Sequence, residues 1–149
     1  MVGGNDWSSA ERWIEQSDTL KFLKDPANNL AFEAHVYFDK DASGTYKYSY
    51  EEEECYPEKG IDRVKPFVEW IKQNKFHGFI GEYGIPDNDP RWNETLDLFL
   101  GYLQENGING TYWAAGPWWD TYFMAITPKD GKDRPQMPII EKYTSTLKK

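Results

Sequence analysis

Phe76-His77-Gly78-Phe79-Ile80-Gly81-Glu82-Tyr83 is an apolar, aromatic-rich run that ends on a carboxylate. Its composition is that of a buried strand. A glutamate at the end of such a strand is costly to bury unless it is hydrogen-bonded or used. Glycines flank it at Gly81 and Gly84, and glycine lets a backbone come close to a ligand. Strict alternation would place Ile80 and Glu82 on one face. The plainer reading of Glu82 is a structural carboxylate that holds a loop amide.

Outward from this strand the pattern alternates. Ile61, Val64, Phe67, Val68 and Ile71 recur at helical spacing over Ile61–Asn74, and Leu96, Phe99, Leu100 and Leu103 do so over Pro90–Asn106. Asp89-Pro90 fits an N-cap followed by proline at the first helical position. Leu30–Phe38 and Asn109–Ala114 read as two further strands, and Ser9–Gln16 and Gln136–Leu147 as further helices. Strand-helix alternation predicts an α/β fold with parallel strands and right-handed crossovers, in one domain over residues 1–149.

The strand ends carry the chemistry. Glu33, His35, Tyr37 and Asp39 alternate and so share a face, as do Thr111 and Trp113. Polar groups at successive strand C-termini are the layout of a barrel active site. Aromatic content is 17%, and exposed flat rings such as those expected of the adjacent Trp118 and Trp119 suit the apolar faces of sugars. The run Asp39-Lys40-Asp41-Ala42-Ser43-Gly44 imitates the start of a calcium loop, but Tyr50 stands where the bidentate glutamate belongs, which favours an Asx-rich turn with no metal. The single cysteine, Cys55, follows the acidic run Glu51–Glu54, which is expected to raise its thiol pKa.

Bulk properties exclude several partners. A net charge of −8 and a pI near 4.8 argue against a nucleic-acid backbone or an anionic membrane. The Lys148-Lys149 pair reads as a solvated tail. No apolar run approaches the ~20 residues of a membrane span. The opening Met-Val-Gly-Gly-Asn-Asp has no signal-peptide pattern, so the expectation is a mature or engineered start.

Four segments together resemble glycoside hydrolase family 5, in its endo-β-1,4-glucanase (cellulase) branch: Gly4-Asn5-Asp6-Trp7-Ser8, Phe32-Glu33-Ala34-His35-Val36-Tyr37, Gly78-Phe79-Ile80-Gly81-Glu82-Tyr83-Gly84 and Thr111-Tyr112-Trp113-Ala114-Ala115-Gly116-Pro117-Trp118-Trp119. The resemblance implies a TIM-barrel (β/α)8 fold and retaining hydrolysis of a β-1,4-glucan by a secreted enzyme that needs no cofactor. It implies Glu82 as nucleophile on the seventh strand, Tyr37 as the residue that orients it, and His35 as a cleft-lining neighbour. Trp113 takes the place of the stacking floor under the sugar, and Asn5, Trp7 and Trp118 that of further sugar contacts.

The family's acid/base glutamate sits in an Asn-Glu-Pro motif that this sequence lacks, and its only Asn-Glu pair, Asn93-Glu94, falls inside a predicted helix. A full barrel takes roughly 250 residues. The resemblance therefore places the chain at strands 5–8, as the C-terminal half of the barrel, opening at the very end of the fifth strand. Half a barrel leaves two open strand edges and an apolar sheet face, which predicts pairing with an N-terminal half-barrel or with a second copy. Glu33 reads as a deeper core carboxylate. Two other readings remain beside the enzyme: a carbohydrate-binding unit without turnover, and an engineered half-barrel fragment.

Overall fold

The structure is a computed structural model and describes residues 1–144. Four parallel strands form one sheet in sequence order: β1 (Val2–Gly3), β2 (Ala31–Tyr37), β3 (His77–Gly84) and β4 (Asn109–Tyr112). Helix α1 (Trp13–Ser17) runs into a 3-10 turn over Asp18–Phe22 before β2. Helix α2 (Lys59–Asn74) crosses from β2 to β3, α3 (Arg91–Glu105) from β3 to β4, and α4 (Met137–Tyr143) follows the last strand. This is the alternating α/β order expected from the sequence. The predicted final helix extends to Leu147; that end, like Lys148-Lys149, lies outside the described residues.

The helices cover one face of the sheet. Along β2 burial alternates, with Phe32, Ala34 and Val36 buried and Ala31, Glu33, His35 and Tyr37 half-buried. The buried set packs on the predicted helical stripes, of which Val64, Phe67, Val68 and Ile71 in α2 and Leu96, Phe99, Leu100 and Leu103 in α3 are all buried. Phe32 meets Trp70 edge-on at 5.0 Å, and Trp13 meets Phe67 at 4.6 Å. Each such ring buried contributes about 1.5–3 kcal/mol. Lys75 ends α2 in a left-handed conformation (φ 59°). Its amide and that of Phe76 bond back to Ile71, closing the helix and launching β3.

The predicted helix over Ser9–Gln16 begins later, at Trp13. Ser9 bridges to His35 and the Ala10 amide bonds the His35 carbonyl at 3.1 Å, so this backbone serves the sheet instead. Just before it, Asp6, Trp7 and Ser8 form a left-handed turn with φ of 53°, 51° and 55°. Such residues cost roughly 1–2 kcal/mol each. Local ties offset the strain: the Gly4 amide donates to Ser8 Oγ at 2.6 Å, the Asn5 amide donates to Ser17 Oγ at 2.9 Å, and Arg12 pairs with Asp6.

The alternation expected in β3 is broken. Ala34 pairs with Ile80 but His35 pairs with Glu82, so Gly81 is an extra residue in a β-bulge. Ile80 is buried under the helices while Glu82 is turned to the opposite, open face. Ile80 and Glu82 thus do not share a face. The bulge leaves no room for a side chain at residue 81: a Cβ there would stand 1.6 Å from Glu33 Oε1. The open face also differs from the apolar surface expected, since Glu33, His35, Tyr37 and Glu82 sit on it.

Candidate active site

Parallel pairing brings the ends of β2 and β3 together. His35 lies opposite Glu82 in the ladder, and Tyr37 lies opposite Gly84. The Tyr37 hydroxyl donates to Glu82 Oε2 at 2.9 Å. His35 Nε2 stands 2.6 Å from Glu33 Oε1, and its Nδ1 stands 3.7 Å from Glu82 Oε2. Burial, reinforced by the charge of Glu82, raises the Tyr37 phenol far above its ordinary pKa. Tyr37 therefore stays protonated and acts as a donor to the carboxylate.

The segment after β2 buttresses Tyr37. Asp39 is fully buried and does not continue the strand's open face; its carboxylate accepts the amides of Gly44 and Thr45 at 3.0 Å each and the hydroxyl of Ser43 at 2.9 Å. This is the Asx-rich turn, and its acceptor oxygens are occupied by the loop itself. Gly44 (φ 74°) lies flat against the Tyr37 ring, where a Cβ would approach within 2.9 Å. The Tyr46 hydroxyl accepts from the Phe38 amide at 2.9 Å and donates to the Gly84 carbonyl at 2.6 Å, locking the ends of β2 and β3 together. Arg63, almost buried on α2, donates to the carbonyls of Tyr37 and Lys40. The Cys55 thiol is raised, the expected direction, but by burial and not by the acidic run.

Trp113 follows β4 directly, its amide bonded to the Tyr83 carbonyl at 2.8 Å. That approach needs Gly84, where a Cβ would meet the Trp113 carbonyl oxygen at 2.3 Å. The two glycines beside Glu82 therefore admit protein atoms, a carboxylate at Gly81 and a backbone at Gly84. The Trp113 ring meets Trp119 at 5.0 Å, and Trp119 in turn meets Tyr122 at 5.0 Å.

These groups line an open cleft of about 570 Å³ that holds His35, Tyr37, Glu82, Trp113 and the 85%-exposed Trp7. Trp118 is 90% exposed but does not line the cleft. Asn5 does not line it either, because its side-chain amide donates to the Gln16 carbonyl at 2.8 Å. Sequence reasoning missed Tyr122, Arg12 and Ser43, which do line it; Tyr122 and Ser43 come from irregular segments, and Arg12 precedes the helix that the sequence reading started too early. The other carboxylates on the walls are engaged, Asp6 by Arg12, Glu11 by Arg63 at 3.5 Å and Asp41 by the Ser43 amide at 3.2 Å. Asn93 and Glu94 lie within α3, away from the cleft. Among the described residues no cluster of three or more His, Cys, Asp or Glu side chains is arranged to hold a metal ion, and no helix is long and apolar enough to cross a membrane.

Residues 1–118 match the cellulase family, glycosyl hydrolase family 5. A probable endo-β-1,4-glucanase B of Aspergillus kawachii is 37% identical over 148 residues, covering 96% of this chain and 42% of its own length. Endoglucanase Cel5A of Pseudomonas stutzeri, solved in complex with cellobiose, is 42% identical with a TM-score of 0.85, covering 97% of this chain and 45% of that one. XacCel5A, solved in complex with cellopentaose, is 39% identical with a TM-score of 0.85, covering 96% and 47% respectively. The chain belongs to glycoside hydrolase family 5. It spans less than half the length of these relatives.

Proposed function

We propose that this chain carries the nucleophile side of a retaining β-1,4-glucan hydrolase, with Glu82 as the attacking carboxylate. The observation that carries the proposal is the Tyr37 hydroxyl held 2.9 Å from Glu82 Oε2 in an open cleft beside Trp113. With Oε2 held by the Tyr37 phenol, Oε1 is free to form the ester with the anomeric carbon. Trp113 offers a ring face on which the sugar at the scissile bond stacks. Trp7 offers a second on the rim. Relatives solved with cellobiose and cellopentaose support a glucan as the ligand. A polymeric glucan is too large to enter a cell, so this function places the protein outside it.

Retaining hydrolysis needs a second carboxyl about 5–5.5 Å from the first, to protonate the leaving oxygen. The remaining cleft carboxylates are engaged by their neighbours, and we assign the acid to a segment beyond this chain. In this proposal the described strands are barrel strands 5–8, and a complementary N-terminal half or a second copy closes the sheet along its open β1 and β4 edges. Light scattering over a dilution series is expected to find an assembly larger than one chain. A monomer stable from high to low concentration would sink that part of the proposal.

The chemistry is tested with a dinitrophenyl 2-deoxy-2-fluoro-cellobioside, whose leaving group departs without acid help. Peptide mapping by mass spectrometry is expected to place the fluorosugar on Glu82. Saturable binding with no covalent adduct would instead favour a carbohydrate-binding role. An adduct on another carboxylate would show that Glu82 is not the nucleophile.

A further inference from the structure

Glu33 has no lysine or arginine partner among the described residues, although its side chain is only 19% exposed. A carboxylate in that position needs a reason to stay. It occupies a slot that exists because two neighbours are glycine: a Cβ at Gly81 would fall 1.6 Å from Oε1, and one at Gly3 would fall 3.4 Å from Oε2. Oε1 faces His35 Nε2 at 2.6 Å, and Oε2 accepts from Ser8 Oγ at 3.4 Å. Ser8 itself belongs to the left-handed turn and is held by the Gly4 amide.

A carboxylate only accepts hydrogen bonds, so a bond across this 2.6 Å contact requires the proton on His35 Nε2. The nitrogen that faces Glu82 is then Nδ1, at 3.7 Å from the same Oε2 that Tyr37 addresses at 2.9 Å. Without Glu33 the imidazole is free to turn over or change tautomer, and its N–H gains a competing acceptor in Glu82 itself. That bond would draw the nucleophile away from Tyr37. We propose that Glu33 is a positioning residue: it captures the N–H of His35 at Nε2 and so leaves Tyr37 as the donor that orients Glu82. The role is distinct from core filling, because it needs an acceptor oxygen at that position and not merely volume. Its catalytic consequence rests on Glu82 being the nucleophile; the state of the imidazole does not.

The test has two arms on the full chain in its assembled form. The chain has two histidines, His35 and His77, so long-range proton–nitrogen spectra of the imidazoles are assignable with a single His77→Gln control. The wild type is expected to show His35 protonated at Nε2. Glu33→Ala should mix the tautomers and slow fluorosugar labelling of Glu82 by about tenfold or more, the scale of a misaligned catalytic group. Glu33→Gln, which keeps an acceptor oxygen in the slot, should restore both. A wild-type His35 protonated at Nδ1 overturns the proposal. So does a Glu33→Ala protein with unchanged tautomer and labelling rate. If Glu33→Ala fails to fold, the wild-type spectrum and Glu33→Gln still decide, since a Gln variant with mixed tautomers also overturns the proposal. Absence of any label in the wild type would overturn the nucleophile assignment, leaving the tautomer to decide on Glu33 alone.

Discussion

Glu82→Gln is expected to lower hydrolysis of an aryl cellobioside by the proposed assembly on the order of 10⁴-fold or more, the scale seen when a covalent catalyst is removed. The substitution keeps the shape of the side chain and an oxygen for the Tyr37 hydroxyl, which now sits 2.9 Å from Oε2. It removes only the charge and, in the proposed role, the nucleophilic oxygen. Glu82 is partly exposed and makes this one short hydrogen bond, so stability should change by no more than about 1 kcal/mol. Circular dichroism and a thermal melt check that condition; kcat checks the other. Glu82→Ala adds a diagnostic for direction of attack. The shortened side chain leaves space on the same face for azide, which should restore turnover and give a glycosyl azide of inverted anomeric configuration, read by proton NMR. Recovery with retained configuration would mean that Glu82 acts as acid/base and that the nucleophile lies elsewhere.

Gly81→Ala should damage both the sheet and the cleft with a single methyl group. The added carbon would sit 1.6 Å from Glu33 Oε1, 2.5 Å from its Cδ and 2.9 Å from its Cγ. Glu33 cannot step aside freely, because His35 and Ser8 engage its two oxygens. Overpacking of this kind costs about 1–3 kcal/mol, and the upper end is expected in urea unfolding. Activity should fall with it, since the bulge at residue 81 is what turns Glu82 toward the cleft. Gly107→Ala is the control: at φ 66° it strains the backbone, but nothing lies within 4 Å of the new carbon, so a loss near 1 kcal/mol is expected and no change in kcat. Combining Gly81→Ala with Glu33→Ala should recover part of the lost stability, by a coupling of about 1–3 kcal/mol. Strict additivity would show that the clash is relieved by the backbone instead.

The elements are legible from periodicity because burial is one-sided. Ile61–Asn74 and Pro90–Asn106 carry clear helical stripes, and the structure has helices at Lys59–Asn74 and Arg91–Glu105. The strand read at Leu30–Phe38 appears as Ala31–Tyr37. The two residues of β1 are too few to show any alternation, and only the family resemblance points to a strand end there. Strict alternation puts Glu82 on the wrong face because the side-chain period of a strand is blind to a bulge; the glycine at 81 is visible, but what it makes room for lies 48 positions earlier at Glu33. His35, Tyr37, Glu82 and Trp113 do gather in one cleft. Asn5 does not, because Gln16 offers its amide a carbonyl, a contact set by the helix that follows the left-handed turn. Tyr122 reaches the cleft from a segment without repeat, and Arg12 from the stretch before Trp13 that the sequence reading made helical.

The left-handed turn at Asp6–Ser8 divides labour between main chain and side chain. Every tie that holds it runs through Gly4, Asn5, Asp6, Ser8 or Ser9 to their partners, and none runs through the indole of Trp7, which is 85% exposed. The backbone thus works as a socket and residue 7 as the tool seated in it. A socket of this kind loosens the link between what the rim of the cleft touches and whether the protein folds, so the rim can be retooled at one codon among residues that tolerate a left-handed backbone.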